Sequence, residues 1–135
     1  MFGMMRSPAQ SYATVGVDVA VNSADPHKLI LMLFDGAITA ITVGKIHMEA
    51  GRVAEKGSNI SKAISLISDG LKASLDREAG GELAERLDAL YDYMAQRLLW
   101  KNKKNEPGPL DEVSGLLAEL REAWAQIPSH QQEAA

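Results

Sequence analysis

The chain of 135 residues contains no cysteine. That absence removes disulfides, thiol catalysis and cysteine-ligated zinc, and leaves the compartment open. Nor is there a surplus of positive charge: 14 lysines and arginines against 18 aspartates and glutamates give a formal charge of -4, the wrong sign for a face that displaces counterions from nucleic acid. The start, Met1 to Pro8, lacks the apolar run of a signal peptide. The longest apolar stretch, Leu29 to Val43, is interrupted by Asp35 and falls short of the ~20 residues that span a bilayer. A cytoplasmic location is therefore the expectation. No phosphate loop, no Gly-x-Gly-x-x-Gly and no internal repeat is visible.

What is present is helical periodicity in a chain long enough for one core. Asp25-Pro26-His27-Lys28 opens the most apolar segment. Asp25 suits the N-cap, where its carboxylate accepts a first-turn amide, and Pro26 suits the first helical position, where no donor is missed. At roughly 100° per residue, Leu29, Leu33, Gly36 and Ala40 share one side, Ile30, Phe34, Ala37 and Ile41 a second, and Leu31 and Ile38 a third. A helix apolar around most of its circumference is surrounded by protein, so 25–51 reads as the inner helix of a bundle.

Gly51 and Gly57 bracket a polar connection, with Ser58 or Asn59 capping a second helix over 60–78. Its stripe is Ile60, Ile64, Ile67, Leu71 and Leu75, flanked by Ala63, Leu66, Gly70 and Ser74. This combined arc of roughly 200° exceeds the ~100° that a one-sided surface helix needs. The small residues admit close approach of another helix, from the same chain or from a partner. Gly80-Gly81 ends this helix. A third, from Glu82 to about Lys104, buries Leu83, Leu87, Leu90, Tyr91, Met94 and Leu98, with Tyr93 and Trp100 on a flank beside Arg97. Pro109 opens a fourth, whose buried stripe is Val113, Leu117, Leu120, Trp124 and Ile127. The fold class is all-α: an antiparallel four-helix bundle over 25–128, with an extended N-terminal arm, 1–24, and a disordered tail, 129–135. The arm alternates Val15, Val17, Val19 and Val21 with smaller or polar residues. It packs on the bundle, or it is a lid in which Tyr12 and Val15 cover an apolar groove.

Chemistry is hard to place. His27, His47 and His130 lie in a first turn, near a helix end and in the tail, and no glutamate has a histidine three residues on, as a di-iron bundle would show. The pairs Glu82 with Glu85 and Glu119 with Glu122 are ordinary solvated spacings. No catalytic, cofactor or metal residues are assigned, and the chain reads as a non-enzyme.

The order of blocks then resembles a known family. Tyr12 and the alternating valines are followed by Ala24-Asp25-Pro26-His27-Lys28-Leu29-Ile30, then Met32-Leu33-Phe34-Asp35-Gly36-Ala37. Next come Ile60-Ser61-Lys62-Ala63-Ile64, Gly70-Leu71-Lys72-Ala73, Gly80-Gly81-Glu82-Leu83-Ala84, Leu90-Tyr91-Asp92-Tyr93-Met94, Arg97-Leu98-Leu99 and Glu122-Ala123-Trp124. This order is similar to that of the flagellin export chaperones, FliS. Phe34 departs from a position where tyrosine is common, and Trp100-Lys101-Asn102-Lys103 departs from alanine before the asparagine and an apolar residue after it.

The resemblance implies a bundle that binds the C-terminal helical segment of flagellin, prevents its early polymerisation and aids delivery to the flagellar type III export gate. In this mode a disordered segment folds as it enters a groove. On that basis Tyr12 and Val15 are the candidate lid. Ala63, Leu66, Ile67, Gly70, Leu71 and Ser74, with Tyr93 and Trp100, are the candidate groove wall. The alternative is a helical regulatory adaptor sequestering another flagellar protein, such as an anti-sigma factor.

Overall fold

The computed structural model describes residues 25–102 and 105–127, with backbone alone at 100–102. The arm over 1–24, with Tyr12 and Val15, and the tail over 129–135 lie outside the described residues. Four helices and no strand occur among those described: α1 (Pro26–Glu49), α2 (Val53–Ser65) continued by a π-helical segment (Leu66–Lys72), α3 (Arg77–Asn102) and α4 (Pro107–Gln126).

The start of α1 follows from its first residues. The Asp25 carboxylate accepts the His27 N–H at 3.1 Å, and Pro26 takes the first turn. The helix ends at Gly51, whose φ of +76° lets the chain reverse within two residues. At 24 residues α1 is, by length and composition, able to cross a bilayer. This corrects the sequence argument from shortness, which stopped the apolar stretch at Val43. What encloses α1 instead is its own chain: Leu33, Phe34, Ala37, Ala40, Ile41, Gly44 and Met48 are buried against α2, the π segment and α4.

The four helices form a ring in which α1 and α3 each pack beside α2 and α4, leaving α1 and α3 diagonal. Contacts run antiparallel along α1 and α2. A Cβ built on Gly44 would stand 2.9 Å from Ile60, one on Gly36 3.2 Å from Leu66, and one on Gly70 3.0 Å from Leu33. The close-approaching helix anticipated from the small residues of α2 is therefore, at Gly70, α1 of the same chain. Beneath these seams Ile41, Ile60, Ile67, Met94, Leu98, Val113 and Leu117 are almost wholly buried.

Several boundaries differ from the sequence reading. Gly57 lies inside α2, which begins at Val53 because Gly51 alone makes the turn; Asn59 donates to the Glu55 carbonyl at 2.9 Å instead of capping. The second helical run breaks at Ser74–Asp76, ahead of the glycines. There the Asp76 carboxylate accepts the Ala79 N–H at 3.0 Å and starts α3. Gly81, at φ +52°, kinks α3 after its first turn. That kink places Leu83 at the rim, 64% exposed, while Ala84 is buried in its stead. At the other end α4 starts at Pro107, two residues early, and Ile127 lies past its last turn, 45% exposed.

Candidate partner-binding face

The predicted groove residues occupy three kinds of place. Ala63, Leu66, Ile67 and Leu71 are buried in the hydrophobic core. Gly70 is half-buried against Leu33, and Ser74 is exposed, its Oγ donating to the Gly70 carbonyl at 2.6 Å. Tyr93 is 43% exposed, and Trp100 is described by its helical backbone alone.

Tyr93 is not brought beside the α2 residues. Its hydroxyl donates to Glu112 Oε2 of α4 at 2.6 Å, and Arg97, one turn on, donates to Glu112 Oε1 at 2.8 Å. Its neighbour Asp92 faces the other way, pairing with Lys72 of the π segment at 2.7 Å. The roughly 100° between consecutive helical residues sends the two side chains to different seams. The Tyr93 hydroxyl first, then Arg97, holds the Glu112 carboxyl below the usual range, and the same hydrogen bond raises the Tyr93 phenol. Arg97 and Glu112, with Glu106 to Pro109, also line an open recess of ≈ 550 Å³ at the α3–α4 turn.

Two features escaped the sequence reading. Leu99 on α3 is 61% exposed; together with Leu83 and Tyr93 it leaves α3 with exposed apolar side chains at its start, middle and end. Lys56 is buried, its Nζ donating to Asn105 Oδ1 at 3.0 Å, and burial lowers its pKa. The signal for Lys56 was its spacing: it stands four residues before Ile60, in line with the core stripe. Asn105, at φ +58°, occupies the left-handed region that asparagine tolerates.

The two described histidines, His27 and His47, have structural partners. His27 stacks on Trp124 with ring centroids 5.1 Å apart. His27 Nε2 lies 2.8 Å from the Trp124 carbonyl, and Trp124 Nε1 donates to the His27 carbonyl at 2.9 Å. His47 Nδ1 accepts from Arg52 Nε at 2.9 Å. Burial pushes the Tyr91 phenol up to about 12. Among the described residues no group of three or more histidines, aspartates and glutamates converges as metal ligands. The geometry supplies apolar side chains and pinned charges, which suit recognition.

Comparison with known proteins decides the family, for the profile described as Flagellar protein FliS matches residues 8–131. The chain belongs to the FliS family. It is 51% identical over 121 residues to the flagellar secretion chaperone FliS of Salmonella typhimurium, covering 90% of each chain. It is 40% identical over 124 residues to FliS of Vibrio cholerae, covering 92% of this chain and 90% of that one, and 42% identical over 115 residues to FliS of Escherichia coli, covering 85% of both. FliS membership supports an export-chaperone role with a flagellar protein as partner.

Proposed function

We propose that this chain is a cytoplasmic, non-enzymatic export chaperone that binds the C-terminal helical segment of flagellin. It keeps that segment from polymerising early and presents it to a component of the flagellar export gate, with other flagellar regulators as further partners. The observation that carries the reading is the FliS match across nearly the whole chain. Leu83, Tyr93 and Leu99, exposed on different sides of α3, supply apolar contacts beyond those the bundle needs for itself, so a bound segment engages more than one side of the helix. An amphipathic segment gains by laying its apolar face on such side chains, and its folding accompanies binding. Ser74 and the edge of Gly70 are a second proposed contact, on the α1–α2 side of the bundle and apart from Tyr93. Ala63, Leu66, Ile67 and Leu71 form the packed layer behind it, and the arm residues Tyr12 and Val15 are its proposed cover.

Calorimetry of the full chain with a flagellin C-terminal peptide tests this. Binding is expected for the peptide and not for a flagellin fragment lacking that segment. The double variant Leu83→Ser, Leu99→Ser is expected to weaken it roughly tenfold or more, as loss of exposed anchor side chains does, with the helical circular dichroism retained. Equal capture of flagellin with and without its C-terminal segment would refute the proposal.

A further inference from the structure

Tyr93 on α3 is 43% exposed, yet its ring is tied at the far end. The hydroxyl donates to Glu112 Oε2 of α4 at 2.6 Å. Arg97, four residues on and so on the same face of α3, brings Nε to Glu112 Oε1 at 2.8 Å and a terminal guanidinium nitrogen to the same oxygen at 2.7 Å. The carboxylate is thus held by two residues of the neighbouring helix. The Tyr93 bond first, then Arg97, keeps its pKa below the usual range, so at neutral pH it is an ionised acceptor.

Arg97 by itself neutralises Glu112, and a partly exposed ion pair adds little to stability. The bond from Tyr93 therefore does less for the bundle than for the ring, whose direction it fixes while much of its surface stays in solvent. Tyr91, two positions earlier, is held instead by burial in the core. An aromatic side chain offers a large contact area for only two rotatable angles, and fixing those angles beforehand lowers the ordering cost of binding. Arg97 and Glu112 also form one wall of the open recess of ≈ 550 Å³ at the α3–α4 turn.

We infer that Glu112 is a positioning residue for recognition: braced by Arg97, it presets the Tyr93 ring as an anchor on which the bound segment packs an apolar side chain. The inference rests on the flagellin reading and deepens it, by naming which exposed apolar side chain of α3 is set before the partner arrives and what sets it. Leu83 and Leu99 have no polar atom by which to be tied, and they order on contact. Because the charges beside the ring are already paired with each other, the residue of the segment that meets Tyr93 is apolar.

Calorimetry of the full chain with a flagellin C-terminal peptide, run on variants whose helical circular dichroism matches the parent, tests it. Tyr93→Ala is expected to weaken binding roughly tenfold or more, as loss of an anchor does. Glu112→Ala and Tyr93→Phe, which keep the ring and release it, should each cost roughly three- to tenfold. Glu112→Gln retains an acceptor for the hydroxyl and should stay near the parent. In a Tyr93→Ala background Glu112→Ala should cost nothing further, which separates positioning from direct contact. In the free protein, side-chain NMR couplings of Tyr93 should report one rotamer in the parent and in Glu112→Gln, and averaging in Glu112→Ala. Parental affinity in Tyr93→Ala, an undiminished cost of Glu112→Ala in that background, or an averaged Tyr93 rotamer in the parent would overturn this inference alone. A parent protein that does not bind the peptide would refute the flagellin reading and this inference with it.

Discussion

Two seams of the same bundle are closed by different means. Between α1 and α2 the surfaces meet through small residues, with Gly36, Gly44 and Gly70 each set against a large aliphatic side chain of the other strand of the hairpin. Around α4 the edges are tied by polar groups. Asp35 to Arg121 at 2.9 Å, Lys45 to Asp111 at 2.8 Å and the His27–Trp124 stack bind it to α1, and Glu112 binds it to α3. The first seam depends on shape and apolar burial, which pH and charge screening affect far less than they affect ion pairs. The second adds directional links over the buried Leu110, Val113 and Leu117, and their contribution varies with salt and pH.

The sharpest way to break this contrast is to empty the first seam. Ile60→Ala removes a fully buried side chain wedged against Gly44 and is expected to cost about 2–5 kcal/mol in urea unfolding. Overfilling follows. Gly70→Leu sets its Cβ against Leu33 at 3.0 Å and is expected to cost about 1–3 kcal/mol, so its effect on a partner is interpretable only after its stability is measured.

The polar seam responds less. Trp124→Phe keeps a ring over His27 and deletes the bond from Nε1 to the His27 carbonyl; thermal unfolding should show a loss of about 0.5–1.5 kcal/mol. The smallest effect is an acid limb. Because Glu112 is held below its ordinary pKa, its stabilisation is present above the unfolded carboxyl's titration range and fades as pH falls through the lower folded value. Stability measured from about pH 5 downward should fall slightly less steeply in Glu112→Gln, by under about 1 kcal/mol given its exposure. A change at Glu112 as large as that at Ile60 would erase the distinction between the seams.

Much of the architecture was readable from residue order. Asp25 and Pro26 predicted the start of α1, and the stripes through Ile60, Ile67, Met94, Leu98, Val113 and Leu117 named core residues correctly. The stripes failed at their ends, where Leu83 and Ile127 have the right spacing but Leu83 follows the Gly81 kink and Ile127 lies past the last turn of α4. The candidate face was legible only in part. Ala63, Leu66, Ile67 and Leu71 looked surplus because one helix was considered alone, and α1 and α3 occupy them. Tyr93 and the α2 residues share a sequence-level description and diverge in space because Glu112 draws Tyr93 toward α4.

The sequence by itself determined that four amphipathic segments would bundle, because periodic apolar positions must leave water together and short glycine- and proline-marked connections force neighbours to run antiparallel. Which small residues would be filled by α1, which apolar ones would stay at the surface, and the π register of Leu66–Lys72 were settled by packing alone, since each depends on what stands opposite a side chain, and periodicity carries no record of that.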